Sequence, residues 1–188
     1  MPDGVRPAER VGLVVLGGLP GSGKTTIATA VARRTGAAHV RVDTIEQAVV
    51  DSGLAGHPVG TVGYVVAYAV AAAQLALGHP VVADSVNPLE VEVVCSDTGL
   101  HEQRATSRPT DVEGLVKPDW EQIRARENDP WSSDLTADTA DTGVEEAVDR
   151  IIDAALWRSG TPAAPHRGTG SAGDDRGTAV SGSSSGSW

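Results

Sequence analysis

The chain has 188 residues, a formal net charge of -10, 40% apolar residues and one cysteine, Cys95. This length predicts a single domain, and an acidic chain without a basic stripe argues against duplex nucleic acid as a partner. The longest apolar stretch, 62–78, falls short of the roughly 20 apolar residues that a membrane span needs. Residues 1–10 lack the apolar segment of a signal peptide. We therefore expect a cytoplasmic protein without nucleic-acid or membrane partners.

Strands and helices alternate along the first half of the chain. Short runs rich in Val, Leu and Ala predict buried strands, at 12–17, 38–43 and 79–85. Periodic apolar residues that end at or near a glycine predict helices, at 25–35, 44–53 and 61–77. This order favours an α/β fold with a mostly parallel sheet of about five strands between two helical layers.

The second half begins with a fourth predicted strand, 91–96, and then becomes polar. A region with two short predicted helices follows, at 97–131, before a weak fifth strand at 134–140 and an amphipathic helix at 143–158. The Gly- and Ser-rich composition beyond this point predicts a disordered tail. We expect three segments: an extension, one domain and the tail, at 1–10, 11–158 and 159–188.

Residues 18–25, GLPGSGKT, match the pattern G-x-x-x-x-G-K-[ST] in full. A strand is predicted before them and a helix after them, which is the context that the pattern requires. The glycines allow successive backbone N–H groups to point inward, and the helix N-terminus favours an anion. We expect Lys24 to reach the β- and γ-phosphates of a nucleoside triphosphate, and the Thr25 hydroxyl to ligate Mg²⁺.

Two acids, Asp43 and Asp84, end the second and third predicted strands. Ligands of open parallel sheets bind outside the carboxyl ends of the strands, so both acids are expected near the phosphates. Asp84 suits an acid that holds Mg²⁺ through water. Asp43 suits an acid that orients an acceptor hydroxyl or accepts its proton, although either residue could instead be an ordinary helix cap or turn residue.

Three arginines follow the fourth strand. Arg104 and Arg108 are four residues apart and are expected on one helix face, and Arg126 lies further on. A mobile arginine that closes over a transferred phosphoryl group stabilises its charge. Each of them could also be a solvated surface residue.

The segments VVLGGLPGSGKTTIA, RVDTIEQAV and VVADSVNP, with HEQRATSR after the fourth strand, resemble the P-loop small-molecule kinases and their kinase-like relatives. Chloramphenicol phosphotransferase and gluconate kinase are more distant likenesses. The resemblance covers roughly residues 11–157 and implies a P-loop NTPase fold, a three-layer sandwich. It implies an ATP and Mg²⁺ requirement and a small-molecule acceptor that the sequence does not identify.

The resemblance also assigns roles to single residues. Asp43 would face the acceptor, Asp84 would support the metal together with Thr25, and Arg104 and Arg108 would belong to a lid. ATP would contact the phosphate loop and its neighbour: Gly18, Gly21, Ser22, Gly23, Lys24, Thr25 and Thr26. Arg126 would be a further contact of the ATP phosphates or of the acceptor. The acceptor pocket would draw on the segment 43–68, which offers Glu46, Gln47, His57, Tyr64 and Tyr68.

One departure from the resemblance is the short link between the third and fourth strands, where relatives have a helix. Parallel strands need a crossover of about a dozen residues. In the expected sheet the link must span two strand spacings, about 10 Å, and run back along a strand of about 15 Å. Residues 85–90 can stretch to only about 20 Å. We expect one of two outcomes. Either the fourth strand is displaced, antiparallel or frayed, or the chain is a shortened variant with one open sheet face and reduced stability.

Three functions remain open from the sequence. The leading one is an ATP-dependent kinase that acts on a small hydroxylated molecule. The alternative is a nucleotide-binding module, or a degenerate kinase that binds ATP without transferring its phosphate, which the missing crossover favours. A minor third is a toxin or resistance enzyme that phosphorylates a sugar nucleotide or an antibiotic.

Overall fold

The computed structural model describes residues 12–86, 90–109, 112–126 and 132–159. The predicted extension, and the predicted tail from residue 160 onward, lie outside these ranges. No helix within the described ranges is long and apolar enough to cross a membrane.

Five strands form one sheet in the order β2-β3-β1-β4-β5, and all four neighbouring pairs are parallel. The strands are β1 (Leu13–Gly17), β2 (Ala38–Arg41), β3 (Val81–Asp84), β4 (Val91–Val94) and β5 (Leu135–Asp138). The predicted parallel α/β fold is therefore confirmed.

Within the described residues, six helices accompany the sheet: α1 (Lys24–Thr35), α2 (Val42–Asp51), α3 (Val62–Ala76), α4 (Thr98–Ser107), α5 (Trp120–Arg124) and α6 (Val144–Ser159). Helices α1 and α6 pack together on one face, and α3 covers β2 and β3 on the other. Asp119 begins α5 with a capping box, in which it and Gln122 each accept a hydrogen bond from the other's backbone N–H.

The main core lies between the sheet and the pair α1 and α6. Alternate strand residues point to this face, because side chains in a strand alternate between the two sides. Leu16, Val82 and Val93 are fully buried there against Ile27 and Ile151. Each such side chain contributes about 1.5–3 kcal/mol when it leaves water, so this layer fixes the position of the loop between β1 and α1.

Strand β4 is parallel to β1 and lies beside it, so the predicted antiparallel arrangement is wrong. Its register is nevertheless displaced. Asp84 pairs with Leu16 and Leu16 pairs with Val91, so β3 ends at the height where β4 begins. The link therefore spans two strand spacings, about 10 Å, without running back along a strand, and residues 85–90 are long enough for that.

Among the described residues, the sheet face opposite α1 is only partly covered, which agrees with the open face of the second expected outcome. Helix α3 packs through Ala67 and Ala71 onto Val40 and Val81, but it does not extend over β4 and β5. On the uncovered side Leu13 of β1 is 40% exposed. The reduced stability expected from this open face stays a prediction.

Candidate active site at the phosphate loop

The phosphate loop (residues 18–25) joins β1 to α1 at the carboxyl edge of the sheet. Gly21 has a φ of 87° and Gly23 a φ of 95°, a left-handed conformation that glycine adopts without strain. Space is also limited at both positions. A Cβ atom at Gly21 would lie 2.8 Å from the Cβ atom of Ala105 in α4, and one at Gly23 would lie 3.2 Å from Thr139.

This loop carries the unpaired backbone donors that an anion site needs. Within the described residues, Ser22 N–H donates to the Leu19 carbonyl, whereas a group of N–H donors has no partner: those of Gly21, Gly23, Lys24, Thr25 and Thr26. The first N–H groups of a helix have no intrahelical acceptor, and the helix dipole places positive potential on them. Phosphate oxygens are suitable acceptors for these donors.

Lys24 lies beside Asp84 in the interior of the site. The Lys24 Nζ atom is 3.2 Å from Asp84 Oδ1, and the two side chains are 6% and 1% exposed. A buried ion of either sign is costly without a partner, so each side chain compensates the other. The structure thus brings together the predicted phosphate lysine and the predicted metal-supporting acid.

Two further basic side chains surround Asp84. His39 Nε2 is 3.8 Å and Arg41 Nε is 3.9 Å from Asp84 Oδ2, and both distances are too long for hydrogen bonds. Burial favours the neutral form of the carboxyl, but His39, Lys24 and Thr25 outweigh it and lower the pKa of Asp84. Asp84 is therefore an anion at neutral pH.

The donor set around Asp84 suits a hard divalent cation. Neither oxygen of Asp84 accepts a well-formed hydrogen bond from the described residues, and the Thr25 hydroxyl lies close enough to act on the same carboxyl. Mg²⁺ prefers oxygen ligands and usually keeps several waters beside phosphate oxygens and one or two protein ligands. Thr25 and Asp84 fit that pattern.

The sequence predicted Asp43 at the end of β2, but Asp43 lies in the first turn of α2. Strand β2 ends at Arg41, because α2 begins at Val42, earlier than the predicted helix at 44–53. Asp43 Oδ2 is 3.5 Å from Arg41 Nη2. Arg41 therefore lies between Asp43 and Asp84, and couples the predicted acceptor acid to the predicted metal acid.

Arg104 is held by the loop after β5. Its Nη1 atom donates to the Thr139 hydroxyl at 2.8 Å, and Nη2 contacts the Thr139 carbonyl at 3.3 Å. The same hydroxyl lies 2.7 Å from the Ser22 carbonyl and 3.1 Å from the Val94 carbonyl. We call this group of Arg104, Thr139 and Ser22 the threonine clamp. It joins α4, the loop after β5 and the phosphate loop.

Helix α4 also contacts the phosphate loop through His101. The His101 Nε2 atom is 2.9 Å from the Pro20 carbonyl oxygen, and the imidazole ring packs edge-on against Trp120 of α5, with ring centroids 5.1 Å apart. Helix α4, which carries the predicted lid residue Arg104, is therefore docked on the loop.

Arg108 is the C-cap residue of α4, directly after Ser107, and its backbone N–H donates to the Arg104 carbonyl. Arg104 and Arg108 line the same cavity. Arg108 also lines a second cavity, and Lys24 lines both.

The two cavities meet at Lys24 and Arg108. One, of about 580 Å³, lies between the phosphate loop, α4 and the start of α6, and we call it the α6-side cavity. The other, of about 620 Å³, lies toward α2 and α5, and we call it the α2-side cavity. Both sizes fall within the range of small-molecule sites, about 300–1,000 Å³.

The predicted site residues divide between these cavities. Thr25, Thr26 and Arg104 line the α6-side cavity. Asp43 and Arg126 line the α2-side cavity, so Arg126, predicted as a phosphate or acceptor contact, lies on the same side of the site as Asp43. The α2-side cavity also contains Glu46, which the sequence had offered as an acceptor contact.

A strand, the phosphate loop and a helix, with a lysine and a paired acid beneath them, define a P-loop protein of the kinase-like class. The family model described as an AAA domain matches residues 13–128, more than half of the sequence. The chain therefore belongs to the AAA domain family. No curated protein matches it.

Solved structures share this fold. A candidate kinase from Chloroflexus aurantiacus J-10-fl is 22% identical with a TM-score of 0.60, over 80% of this chain and 97% of that one. A sugar kinase from Janibacter sp. HTCC2649 is 19% identical with a TM-score of 0.53, over 76% and 92%. A gluconokinase from Sinorhizobium meliloti 1021 is 18% identical with a TM-score of 0.50, over 79% and 93%. The resemblance to P-loop small-molecule kinase-like proteins is thus confirmed at the level of the fold.

Sequence reasoning missed several residues of the site. Thr139 and His101 lie within hydrogen-bond distance of backbone carbonyls of the phosphate loop. His39 and Arg41 lie close to the Asp84 carboxylate. Arg41 carried a usable signal, since it is a basic residue two positions before a predicted site acid. Thr139 follows β5 immediately, at the carboxyl edge where ligands of parallel sheets bind.

Proposed function

We propose that this protein is a kinase that transfers the γ-phosphate of ATP, bound with Mg²⁺, to a hydroxyl group of a small molecule. The observation that carries the proposal is the meeting of two cavities at Lys24 and Arg108. A phosphoryl donor in one and an acceptor in the other would place the reacting groups at these two cations, which would stabilise charge on the transferred group.

The nucleotide would occupy the α6-side cavity. The unpaired N–H groups of the phosphate loop and the Lys24 ammonium would bind its phosphates. When bound, Mg²⁺ would neutralise phosphate charge, and Thr25 and Asp84 would hold it. Thr26 and Arg104 line the same cavity, and the threonine clamp would keep Arg104 at its edge.

The acceptor would occupy the α2-side cavity, beside Asp43. A carboxylate there can accept a hydrogen bond from the attacking hydroxyl, orient it and receive its proton. Arg41 would fix the direction of the Asp43 carboxylate from behind. Arg108 lines both cavities, which suits a residue that contacts the phosphoryl group during transfer.

The test is transfer of labelled γ-phosphate from ATP to a panel of hydroxylated metabolites. Lys24→Ala is expected to abolish transfer, and Arg33→Ala, an exposed basic residue on the same helix, is expected to leave it unchanged. Circular dichroism confirms that each variant is folded. An unchanged rate in folded Lys24→Ala would contradict the proposal.

Nucleotide binding without transfer is a second candidate, favoured by the position of Val86 at the start of the short β3–β4 link. Gly18 N–H donates to the Val86 carbonyl at 3.4 Å, and Val86 lines the α2-side cavity. Val86 therefore lies next to the proposed reacting end of the site. Calorimetric titration with ATP and Mg²⁺ beside the transfer panel separates the two: binding with no transfer to any acceptor favours this second function.

A further inference from the structure

We propose that the acceptor in the α2-side cavity is a small polyhydroxylated molecule that also carries an acidic group, a carboxylate or a phosphate monoester. This inference rests on the proposed function, because it assigns a substrate class to the same site. The observation that carries it is the distribution of charge: two acids line the cavity on α2, while basic side chains come from the segments around α5.

The acidic wall is formed by Asp43 and Glu46, which are three residues apart on α2 and therefore neighbours on its surface. Burial, reinforced by the charge of Asp43, raises the pKa of Glu46, while His57 and Arg126 oppose the rise. Ionised carboxylates only accept hydrogen bonds. Two adjacent acceptors suit two hydroxyl groups on neighbouring carbon atoms.

Glu46 is held in place by a glycine of the facing helix. A Cβ atom at Gly63 of α3 would lie 2.4 Å from Glu46 Cγ. Glycine is disfavoured in a helix relative to alanine, and at this position it makes room for the Glu46 side chain. The second acid is therefore positioned by packing.

The basic wall is formed by Lys117, before α5, and Arg126, after it. Lys117 Nζ donates to the Arg108 carbonyl oxygen at 2.5 Å, which ties this segment to the end of α4. The guanidinium of Arg126 makes no hydrogen bond or ion pair with the described residues. Its charge acts on Glu46 across the cavity, but its five N–H donors bind no acceptor among the described residues, and guanidinium groups bind carboxylate and phosphate through paired hydrogen bonds.

The balance of charge favours an anionic acceptor over a neutral one. Lys24 is compensated by Asp84, and Arg108 reaches the α6-side cavity as well. Arg126 and Lys117 line only the α2-side cavity, so their charges are available to the acceptor. A neutral polyol would use the acidic wall but would bring no anion to Arg126 and Lys117.

The experiment is calorimetric binding to the full chain, saturated with Mg²⁺ and a non-hydrolysable ATP analogue. The probes are matched pairs: aldonic acids of three to six carbons with their alditols, and sugar phosphates with their parent sugars. We expect at least one acid to bind about tenfold or more tightly than its neutral partner, since one charge-assisted contact supplies that factor. The two series distinguish a carboxylate from a phosphate.

Arg126→Gln tests the assignment to the basic wall. It is expected to remove most of the preference for the acid without changing the affinity for the ATP analogue, while Arg124→Gln, an exposed arginine two residues away, keeps the preference. Equal binding of acidic and neutral partners throughout, or an unchanged preference in Arg126→Gln, would overturn the inference. Preferential binding of an acid that is never phosphorylated would support it and contradict the proposed function instead.

Discussion

Lys24 Nζ and Asp84 Oδ1 form a buried ion pair of 3.2 Å directly beneath the phosphate loop. Lys24 is the residue proposed to bind the phosphates of ATP, and Asp84 the one proposed to support Mg²⁺. In the described conformation they satisfy each other. Binding of nucleotide and metal would therefore exchange one ion pair for two new ones, Lys24 with phosphate and Asp84 with the hydrated ion.

The first prediction concerns the stability of this pair. Lys24→Met leaves a buried carboxylate without its nearest cation, and is expected to lower the free energy of unfolding by about 3 kcal/mol. The double variant Lys24→Met/Asp84→Leu is expected to be more stable than Lys24→Met, because it leaves no unpaired charge of the pair. Urea unfolding of the wild type, both single variants and the double variant measures the coupling. Strictly additive effects would contradict the prediction.

The second prediction is a loss of stability in acid. The pKa of Asp84 is lowered on folding, so its ionised form stabilises the fold above the unfolded value, about 3.9. That contribution is lost as the pH falls through the lowered, folded pKa. Urea unfolding below about pH 4 should show a shallower pH dependence for Asp84→Asn than for the wild type. Asp153→Asn, an exposed acid on α6, is the control, and equal slopes for all three proteins would refute the prediction.

The third prediction concerns the threonine clamp. Thr139→Val removes the hydroxyl that accepts from Arg104 and reaches the Ser22 carbonyl, and it should cost about 1–2 kcal/mol of stability and weaken ATP binding. Thr139→Ser keeps the hydroxyl and should retain both. Titration with ATP and Mg²⁺ together with urea unfolding provides the readouts. A loss of affinity in Thr139→Ser as large as in Thr139→Val would mean that the hydroxyl is not responsible.

The fourth prediction concerns Gly63. In an unconstrained helix, alanine is favoured over glycine by about 1 kcal/mol. At Gly63 the added Cβ collides with Glu46, so Gly63→Ala is expected to destabilise the protein by about 1–3 kcal/mol. Gly99→Ala in α4 is the matched control, since its nearest neighbour would lie at an ordinary 3.5 Å. Thermal unfolding that shows both variants stabilised would contradict the role of Gly63.

The phosphate loop and the parallel sheet could be predicted because their signals are local. The loop pattern prescribes its own backbone shape, and apolar runs such as 12–17 can only be buried strands in this context. Asp84 was placed correctly at the end of β3 for the same reason.

The register of β4 could not be predicted from spacing. Counting residues between Asp84 and Val91 gives the length of the link, but not the height at which β4 starts beside β1. A link of six residues is too short only if β4 begins level with the start of β1. Pairing of Leu16 with Val91 removes that requirement.

The contacts around Thr139, Arg41 and Gly63 were also beyond sequence reasoning. Each depends on a partner far away in the chain, such as Ser22 for Thr139, and no local pattern encodes that pairing. The start of α2 was predicted wrongly for a different reason. The helix begins at Val42, and its N-cap residue Arg41 makes no side-chain cap hydrogen bond, so no capping pattern in the sequence marks this start.

The most direct test of the central claim is a crystal structure with Mg²⁺ and a non-hydrolysable ATP analogue. The account predicts phosphates over the N–H groups of the phosphate loop, a γ-phosphate that contacts Lys24 and faces the α2-side cavity, and a Lys24–Asp84 distance longer than 3.2 Å. A nucleotide bound elsewhere, or a γ-phosphate that faces away from Asp43 with Lys24 still paired to Asp84, would contradict it.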